Sequence, residues 1–202
     1  MKEQDTYRTI LKPSVEVLFK DKNSKFFGYA FPVKSESEIK DVLSTLKSEH
    51  HKARHWCYAY QLGTEILTYR VNDDGEPSNT AGMPIYGQIQ SFEVTNTLIV
   101  VVRYFGGVKL GVSGLINAYK TSAQLSLEAS KIVEKTIDIH YHIFFEYKNM
   151  NTVMRKIKEH NLNIVSQKME LACEIIISIR KSESDKIFEI FDSLFKVNIK
   201  KV

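Results

Sequence analysis

Two short stretches of the chain concentrate the side chains that could do chemistry. The first runs from Asn72 to Pro84 and places three carboxylates within four residues, at Asp73, Asp74 and Glu76. Carboxylate oxygens suit a hard cation such as Mg²⁺, and a carboxylate can also act as a general base. The same groups could instead cap the helix that follows or pair with a basic side chain. The spacing lacks the later glutamate of an EF-hand. A salt bridge to Arg103, or pairing with the basic residues of the second stretch, is therefore favoured over metal binding.

The second stretch is a glycine-rich turn from Gly106 to Gly114, between an apolar strand and a helix. Glycines at such a turn let backbone N–H groups converge, and the helix N-terminus adds positive potential. The turn therefore suits a phosphate, for which Arg103, Lys109 and Lys120 could supply charge. The spacing matches neither GxxxxGK[ST] nor GxGxxG, so no known nucleotide loop is indicated. A tight crossover that needs glycine only for its backbone conformation is the alternative.

A third candidate is the pair His55 and Cys57, two residues apart on a predicted strand and therefore on one face. A Cys–His nucleophilic pair is one interpretation, but the sequence marks no third, orienting group, so a partly buried strand is favoured. Aromatic residues also lie near the loops: Tyr58, Tyr60, Tyr69, Tyr86 and Tyr104. Aromatic rings beside basic residues can stack on bases, although most tyrosines in such a domain are packing residues.

Hydrophobic periodicity predicts the elements that position these loops. Alternation predicts strands over 13–20, 26–33, 56–61 and 66–71, with Val15, Val17 and Phe19 on one half-buried face. The aliphatic run in 97–105 predicts a strand covered on both faces. Helices are predicted from Ile39 to about His50 behind a Ser35 cap, from a Thr80 cap to Gln90, and from Leu115 to Ile132.

The pattern changes at Thr136. Strands at 136–147, 162–167, 171–180 and 196–202 alternate with helices at 149–160 and from Ser184. The order β-α-β-β-α-β is that of the ferredoxin-like split unit. The sequence thus predicts an α+β protein with domains at 1–135 and 136–202.

Composition narrows the class of protein. The 202 residues are 43% hydrophobic and carry a net charge of +4, divided equally between the two predicted domains, which is weak evidence for nucleic acid. No window approaches the roughly 18 apolar residues of a membrane span, and the N-terminus lacks an apolar signal core. The two cysteines lack CxxC spacing and fit a reducing compartment. A cytoplasmic protein without membrane contact is expected.

The two loops together carry a resemblance to a known family. NDDGEPSNTAGMP followed by VVVRYFGGVKLGVSGLINAY closely resembles the IMPACT/YigZ family, and ARHWCYA and NSKFFG resemble its other two landmarks. The resemblance implies a first βαβ-type α+β domain similar to domain four of elongation factor G. It implies a ferredoxin-like second domain, βαββαβ, similar to the last domain of that factor. These likenesses imply contact with RNA or the ribosome, and the family's eukaryotic members act as translational regulators.

The resemblance also implies a set of site residues. Carried onto this sequence, they are Asp73, Asp74, Gly75, Glu76, Thr80, Gly82, Arg103, Tyr104, Gly106, Gly107, Gly111 and Gly114. The chain departs from the usual family pattern at Trp56, Asn79, Met83, Ser113 and Asn117. Three of these departures remove basic groups, or groups that can become positive, from the presumed binding face. No cofactor and no metal are expected.

Three functional hypotheses follow. The first is a non-enzymatic binding module for RNA, the ribosome or translation factors, or for a phosphate or other anion, in which Arg103→Ala and Lys109→Ala weaken binding without unfolding the domain. The second is a phosphate-handling or metal-dependent hydrolase that uses Asp73, Asp74 and Glu76. The third is a protein–protein adaptor that works through a sheet edge or the second domain. They are ranked in this order, and no catalytic residue is assigned.

Overall fold

Two compact units make up the residues that the computed structural model describes, 5–202. Residues 7–135 form the first unit. Its elements, of which two extend one residue beyond it, are β1 (Thr6–Ile10), β2 (Val17–Asp21), β3 (Ser24–Pro32), α1 (Glu36–Glu49), β4 (His55–Leu62), β5 (Thr68–Asn72), α2 (Gly82–Ser91), β6 (Thr97–Tyr104), α3 (Gly111–Glu128) and β7 (Ile132–Thr136).

The first unit is built on a five-stranded sheet in the order β2-β3-β6-β4-β5. Strand β6 pairs antiparallel with both β3 and β4, so β3 and β4 run parallel and α1 connects them. Helix α1 covers one face, on which Leu98 and Val100 are buried, and α2 and α3 cover the other, on which Ile99 and Val101 are buried. The aliphatic run of β6 is therefore covered on both faces, as predicted.

The second unit comprises residues 136–202 together with Asp5 and Thr6. Its elements are β8 (Asp138–Glu146), α4 (Met150–Glu159), β9 (Asn163–Lys168), β10 (Ala172–Arg180), α5 (Ser184–Asp192) and β11 (Val197–Lys201). The antiparallel sheet has the order β11-β8-β10-β9, and the stripes of α4 and α5 pack with one face of it around Ile143 and Ile175. The predicted ferredoxin-like α+β arrangement is confirmed.

The prediction is wrong at the C-terminal end of α3. The helix ends at Glu128, and Ile132 begins β7, which pairs with β1. Ile132 satisfies the helical spacing, but the β-branched pair Ile132-Val133 favours a strand once a partner is available. That partner, β1, was not predicted, because it lies more than 120 residues earlier in the chain.

Two predicted strands begin later in the structure, and one apolar residue that was assigned to each of them is exposed. Val15 precedes β2, where the backbone N–H of Ser14 donates to the carbonyl oxygen of Ala30 at 2.8 Å and so redirects the chain. Ile66 lies outside β5, which begins at Thr68. None of the helices in residues 5–202 is long and apolar enough to cross a membrane.

Candidate functional site

One ion pair joins the acidic loop (residues 72–84) to β6, the strand that leads into the glycine-rich turn (residues 106–114). An Arg103 guanidinium nitrogen, Nη1, lies 2.6 Å from Oε1 of Glu76, and both side chains are buried. The guanidinium carbon of Arg103 also lies 5.4 Å from the ring centroid of Phe26 and 5.5 Å from that of Phe105. Pairing with Arg103, one of the alternatives that the sequence left open, is therefore a contact that the structure contains.

Glu76 holds the acidic loop against two further elements. Its Oε1 accepts a hydrogen bond from the hydroxyl of Tyr119, on α3, at 2.8 Å. The Nε2 atom of His55, on β4, lies 4.0 Å from the same oxygen. Because three neighbours converge on this carboxylate, Glu76 fixes the loop to β6, α3 and β4.

Asp73 supplies the cap of helix α2. Its carboxylate accepts hydrogen bonds from the backbone N–H groups of Asn79 at 2.9 Å, Ala81 at 2.9 Å and Gly82 at 2.8 Å. The prediction that Thr80 caps this helix is wrong, because the Thr80 hydroxyl is turned back and donates to the carbonyl oxygen of Pro77 at 2.7 Å. A carboxylate is the stronger partner for the positive end of the helix.

Asp74 is bonded to a third part of the unit. Its Oδ2 accepts the backbone N–H of Trp56 at 2.7 Å, and its carbonyl oxygen lies 2.8 Å from Nδ1 of His55. The three carboxylates of the loop thus bind three different sets of protein groups. No group of three or more His, Cys, Asp or Glu side chains within residues 5–202 is arranged to hold a metal ion.

Cys57 is enclosed behind the acidic loop. Its Sγ lies 3.0 Å from the carbonyl oxygen of Asp73 and 3.3 Å from the hydroxyl oxygen of Tyr119. Burial raises the pKa of the Cys57 thiol, and the nearby charge of Glu76 raises it further. The thiol therefore stays protonated at neutral pH, which disfavours the nucleophilic pair with His55.

The glycine-rich turn packs against the tip of the β2–β3 hairpin. A Cβ atom on Gly106 would lie 2.1 Å from the carbonyl carbon of Asn23, so only glycine fits there. The backbone N–H of Gly106 donates to Oγ of Ser24 at 3.2 Å. Gly107 follows with a φ of 85°, a conformation that favours glycine. Close packing and backbone conformation both explain these two glycines.

A pocket of about 350 Å³ lies between the acidic loop and the start of α3. Its lining is largely apolar and includes Glu76, Pro77, Arg103, Phe105, Lys109, Leu110, Gly111, Val112 and Leu115. Lys109 is exposed, and α3 begins with no side-chain cap and no acidic residue in its first turn. The Nε atom of the buried Arg103 has no hydrogen-bond partner within residues 5–202. An exposed positive charge and a helix start without a side-chain cap therefore lie beside the pocket.

The structure brings most of the predicted site residues together and places two of them elsewhere. Most of them lie in the two loops or at the start of α3: Asp73, Asp74, Glu76, Lys109 and the glycines at 106, 107, 111 and 114. Arg103 lies on β6, beside both loops. Tyr104 faces the opposite side of the sheet, since neighbouring strand residues alternate, and its hydroxyl oxygen lies 3.0 Å from Nδ1 of His50. Lys120 is exposed farther along α3, outside the pocket lining, and Thr80 is buried.

Sequence reasoning missed three residues that shape this site. Tyr119 and Ser24 bond to the ion pair and the turn, and Phe105 lines the pocket. The available signal for Tyr119 was its position beside Ala118 in the buried stripe of α3. The signal for Ser24 was its place in the NSKFFG landmark of the family resemblance, since it otherwise falls between two predicted strands.

Comparison with known proteins identifies the region that carries the site. Residues 22–127 match the family model described as the Impact N-terminal domain. The chain is 32% identical to an IMPACT family member of Haemophilus influenzae, over 91% of this chain and 89% of that protein. It is 31% identical to IMPACT family member YigZ of Escherichia coli, over 69% of each chain.

Two further comparisons show how much of the chain is similar to a eukaryotic relative and to a solved structure. The chain is 32% identical to Protein IMPACT of Homo sapiens, but the match covers 45% of this chain and 29% of that protein. A crystal structure of a hypothetical protein superimposes with a TM-score of 0.76 at 23% identity, over 99% of this chain and 98% of the other. The fold of the whole chain is therefore shared with a solved structure.

Proposed function

The chain belongs to the IMPACT family, and from this premise we propose that it is a binding module that contacts RNA of the translation machinery in the cytoplasm. The contact surface is the face formed by the glycine-rich turn and the start of α3. The regulatory role in translation that the family resemblance implies for eukaryotic members is the context of the proposal.

The observation that carries the proposal is the uncapped start of α3 beside the pocket. The first N–H groups of an α-helix have no partner within the helix, so they need an acceptor from elsewhere. A phosphate oxygen satisfies these groups and is attracted by the positive end of the helix. Lys109 adds an exposed positive charge at the same place.

Other exposed basic side chains lie at the same end of the sheet. Lys22 and Lys25 flank the hairpin tip that packs on Gly106. The backbone N–H of Arg54 donates to the carbonyl oxygen of Arg103 at 3.3 Å. A polyanion with several phosphates fits this arrangement better than a single small anion, because the basic groups come from separate elements.

The alternative of a metal-dependent hydrolase receives less support from the geometry. It requires the acidic loop to offer carboxylates to a cation or a water molecule. Asp73 caps α2, Asp74 holds the backbone of β4, and Glu76 neutralises Arg103. Each carboxylate therefore has a structural role that ligation of a metal would disrupt.

Co-sedimentation with purified ribosomes and with total RNA, at low and high salt, tests the proposal. We expect pelleting of the wild type at low salt and release at high salt, because each neutralised phosphate returns counterions to solution. A Lys22→Ala/Lys25→Ala/Lys109→Ala variant should pellet less and show a salt slope shallower by about two to three. Lys12→Ala, an exposed lysine beyond the end of β1, is the matched control.

Two results would count against the proposal. Absence of pelleting at low salt in both assays would remove RNA and the ribosome as partners. Equal pelleting of the triple variant and the Lys12→Ala control would move any RNA contact away from the glycine-rich turn.

A further inference from the structure

Two aromatic–lysine pairs come together at one end of the sheet of the second unit. Tyr147 and Lys148 directly follow β8, and Phe195 and Lys196 directly precede β11. The side-chain amide of Asn149 joins them, since Nδ2 donates to the carbonyl oxygens of Phe195 at 3.3 Å and Lys196 at 3.4 Å. The two pairs therefore form one surface, although 48 residues separate them in the chain.

The apolar side chains of this surface are highly exposed. Tyr147 is 64% exposed and Phe195 is 83% exposed. Leu171, whose carbonyl oxygen accepts the backbone N–H of Tyr147 at 3.3 Å, is 92% exposed. None of the three belongs to the core of the second unit. Exposed apolar residues scattered singly need no explanation, but these three lie on neighbouring segments at one end of the sheet.

Charge decides which kind of partner fits. Nζ of Lys148 lies 2.6 Å from Oε2 of Glu146, and this contact lowers the pKa of the Glu146 carboxyl, with a smaller effect from the charge of Lys196. The single negative charge of Glu146 therefore lies near the two positive charges of Lys148 and Lys196, so the patch has a net positive charge. Nζ of Lys196 lies 5.5 Å from the ring centroid of Phe195, so that charge stands directly beside a ring.

We propose that this aromatic–lysine patch binds a short stretch of single-stranded RNA, with bases stacked on Tyr147 and Phe195 and a phosphate held by Lys148 and Lys196. Every base has a π-face, and its phosphates pair with lysines, so this ligand uses both features of the patch. A purely apolar partner would use the rings and leave the ammonium groups without a role. The inference rests on the proposed RNA function but places a contact in the other unit.

Fluorescence anisotropy of the full chain with a labelled oligouridylate of about ten nucleotides tests the patch. Phe195→Leu and Tyr147→Leu keep the apolar surface and remove the ring, so each should weaken binding about fivefold or more. Lys196→Gln should make the salt slope shallower by about 0.7, the value for one phosphate of a single strand. Leu171→Ala removes apolar area from the patch but no ring, so it should weaken binding much less than either leucine variant. Val165→Ala, an exposed apolar residue on β9 outside the patch, is the matched control and should bind as the wild type does.

A second measurement reports the contact itself. Crosslinking to RNA that contains 4-thiouridine should label peptides with Tyr147 or Phe195, as mapped by mass spectrometry. If both leucine variants bind like the wild type while the triple lysine variant of the first unit binds weakly, the patch is overturned and the proposed function stands. If Leu171→Ala weakens binding as much as Phe195→Leu does, the surface recognises apolar area and the inference is wrong. If the wild type binds no RNA, both proposals fall.

Discussion

Arg103 and Glu76 form a 2.6 Å ion pair whose side chains are only 6% and 4% exposed. The pair is the link between the acidic loop and the strand that leads into the glycine-rich turn. The sequence offered Arg103 as a phosphate contact that could be removed without unfolding the domain. Its burial and its carboxylate partner instead make it a residue on which the geometry of the site depends.

Removal of Arg103 should destabilise the first unit strongly. Arg103→Ala leaves the charge of Glu76 buried without compensation, so the free energy of unfolding should fall by about 3–5 kcal/mol. Urea unfolding measures this change. The exposed pair Arg8–Glu93, with side chains 44% and 77% exposed, is the control, and Arg8→Ala should cost about 1 kcal/mol or less. Equal losses in the two variants would show that burial of the pair contributes nothing.

The carboxylate of Asp73 should contribute more to the free energy of unfolding than an ordinary helix cap does. Asp73→Ala removes the acceptor of three backbone N–H groups, so we expect a loss of about 2 kcal/mol, the upper end for a cap. Ser35→Ala removes a single bond, to the backbone N–H of Glu38 at 3.3 Å, and should cost about 0.5–1 kcal/mol. Urea unfolding of both variants gives the comparison. A smaller loss for Asp73→Ala than for Ser35→Ala would contradict the three-bond cap.

Stability should fall at alkaline pH. Burial raises the pKa of the Cys57 thiol and of the Tyr119 hydroxyl, and nearby Glu76 raises both further. The folded protein therefore keeps protons that the unfolded chain releases above about pH 8.5 for the thiol and about 10 for the phenol. Stability is complete below those values and declines as pH rises, by up to about 1.4 kcal/mol per pH unit for each group.

Urea midpoints measured from pH 7 to pH 11 test this linkage. The wild type should begin to lose stability near pH 8.5. Cys57→Ala should begin to lose it about 1.5 units later, when the tyrosines with raised pKa values, Tyr119 and Tyr29 among them, begin to contribute. The same onset in both proteins would mean that the thiol is not protected by burial. The test compares the pH at which the urea midpoint begins to fall in each protein. A loss of stability in Cys57→Ala that is the same at every pH therefore does not affect it.

Two glycine substitutions should have opposite effects. Gly106→Ala forces a Cβ onto the backbone of Asn23, so the turn must move away from the hairpin and the protein should lose about 2 kcal/mol or more. Gly87 lies inside α2 with no atom within 4 Å of the added Cβ, so Gly87→Ala should stabilise by about 0.5–1 kcal/mol. Thermal unfolding distinguishes the two. A stable Gly106→Ala variant would show that the close contact is not required.

Structural features that depend on neighbouring residues could be predicted from the sequence, whereas contacts between residues far apart in the chain could not. The Ser35 cap and the double burial of β6 follow from neighbouring residues, and the structure contains both. The cap of α2 and the side of the sheet on which Tyr104 lies were not predicted. Asp73 caps α2 from eight residues upstream of Ala81, a distance that no local capping pattern describes. The family resemblance grouped Tyr104 with Arg103 in one site, although adjacent residues of a strand face opposite sides.

The membership of Asp5 in the second unit gives that unit an unusual assembly order. Both side-chain oxygens of Asp5 accept hydrogen bonds from Arg180, 175 residues later, and its carbonyl oxygen accepts the N–H of Ile137 at 2.7 Å. During synthesis these groups leave the ribosome before their partners exist, while the whole of residues 7–135 is made in between. The first unit can thus complete its fold on the nascent chain, whereas the second cannot pair Asp5 until Ile137 and Arg180 have been synthesised.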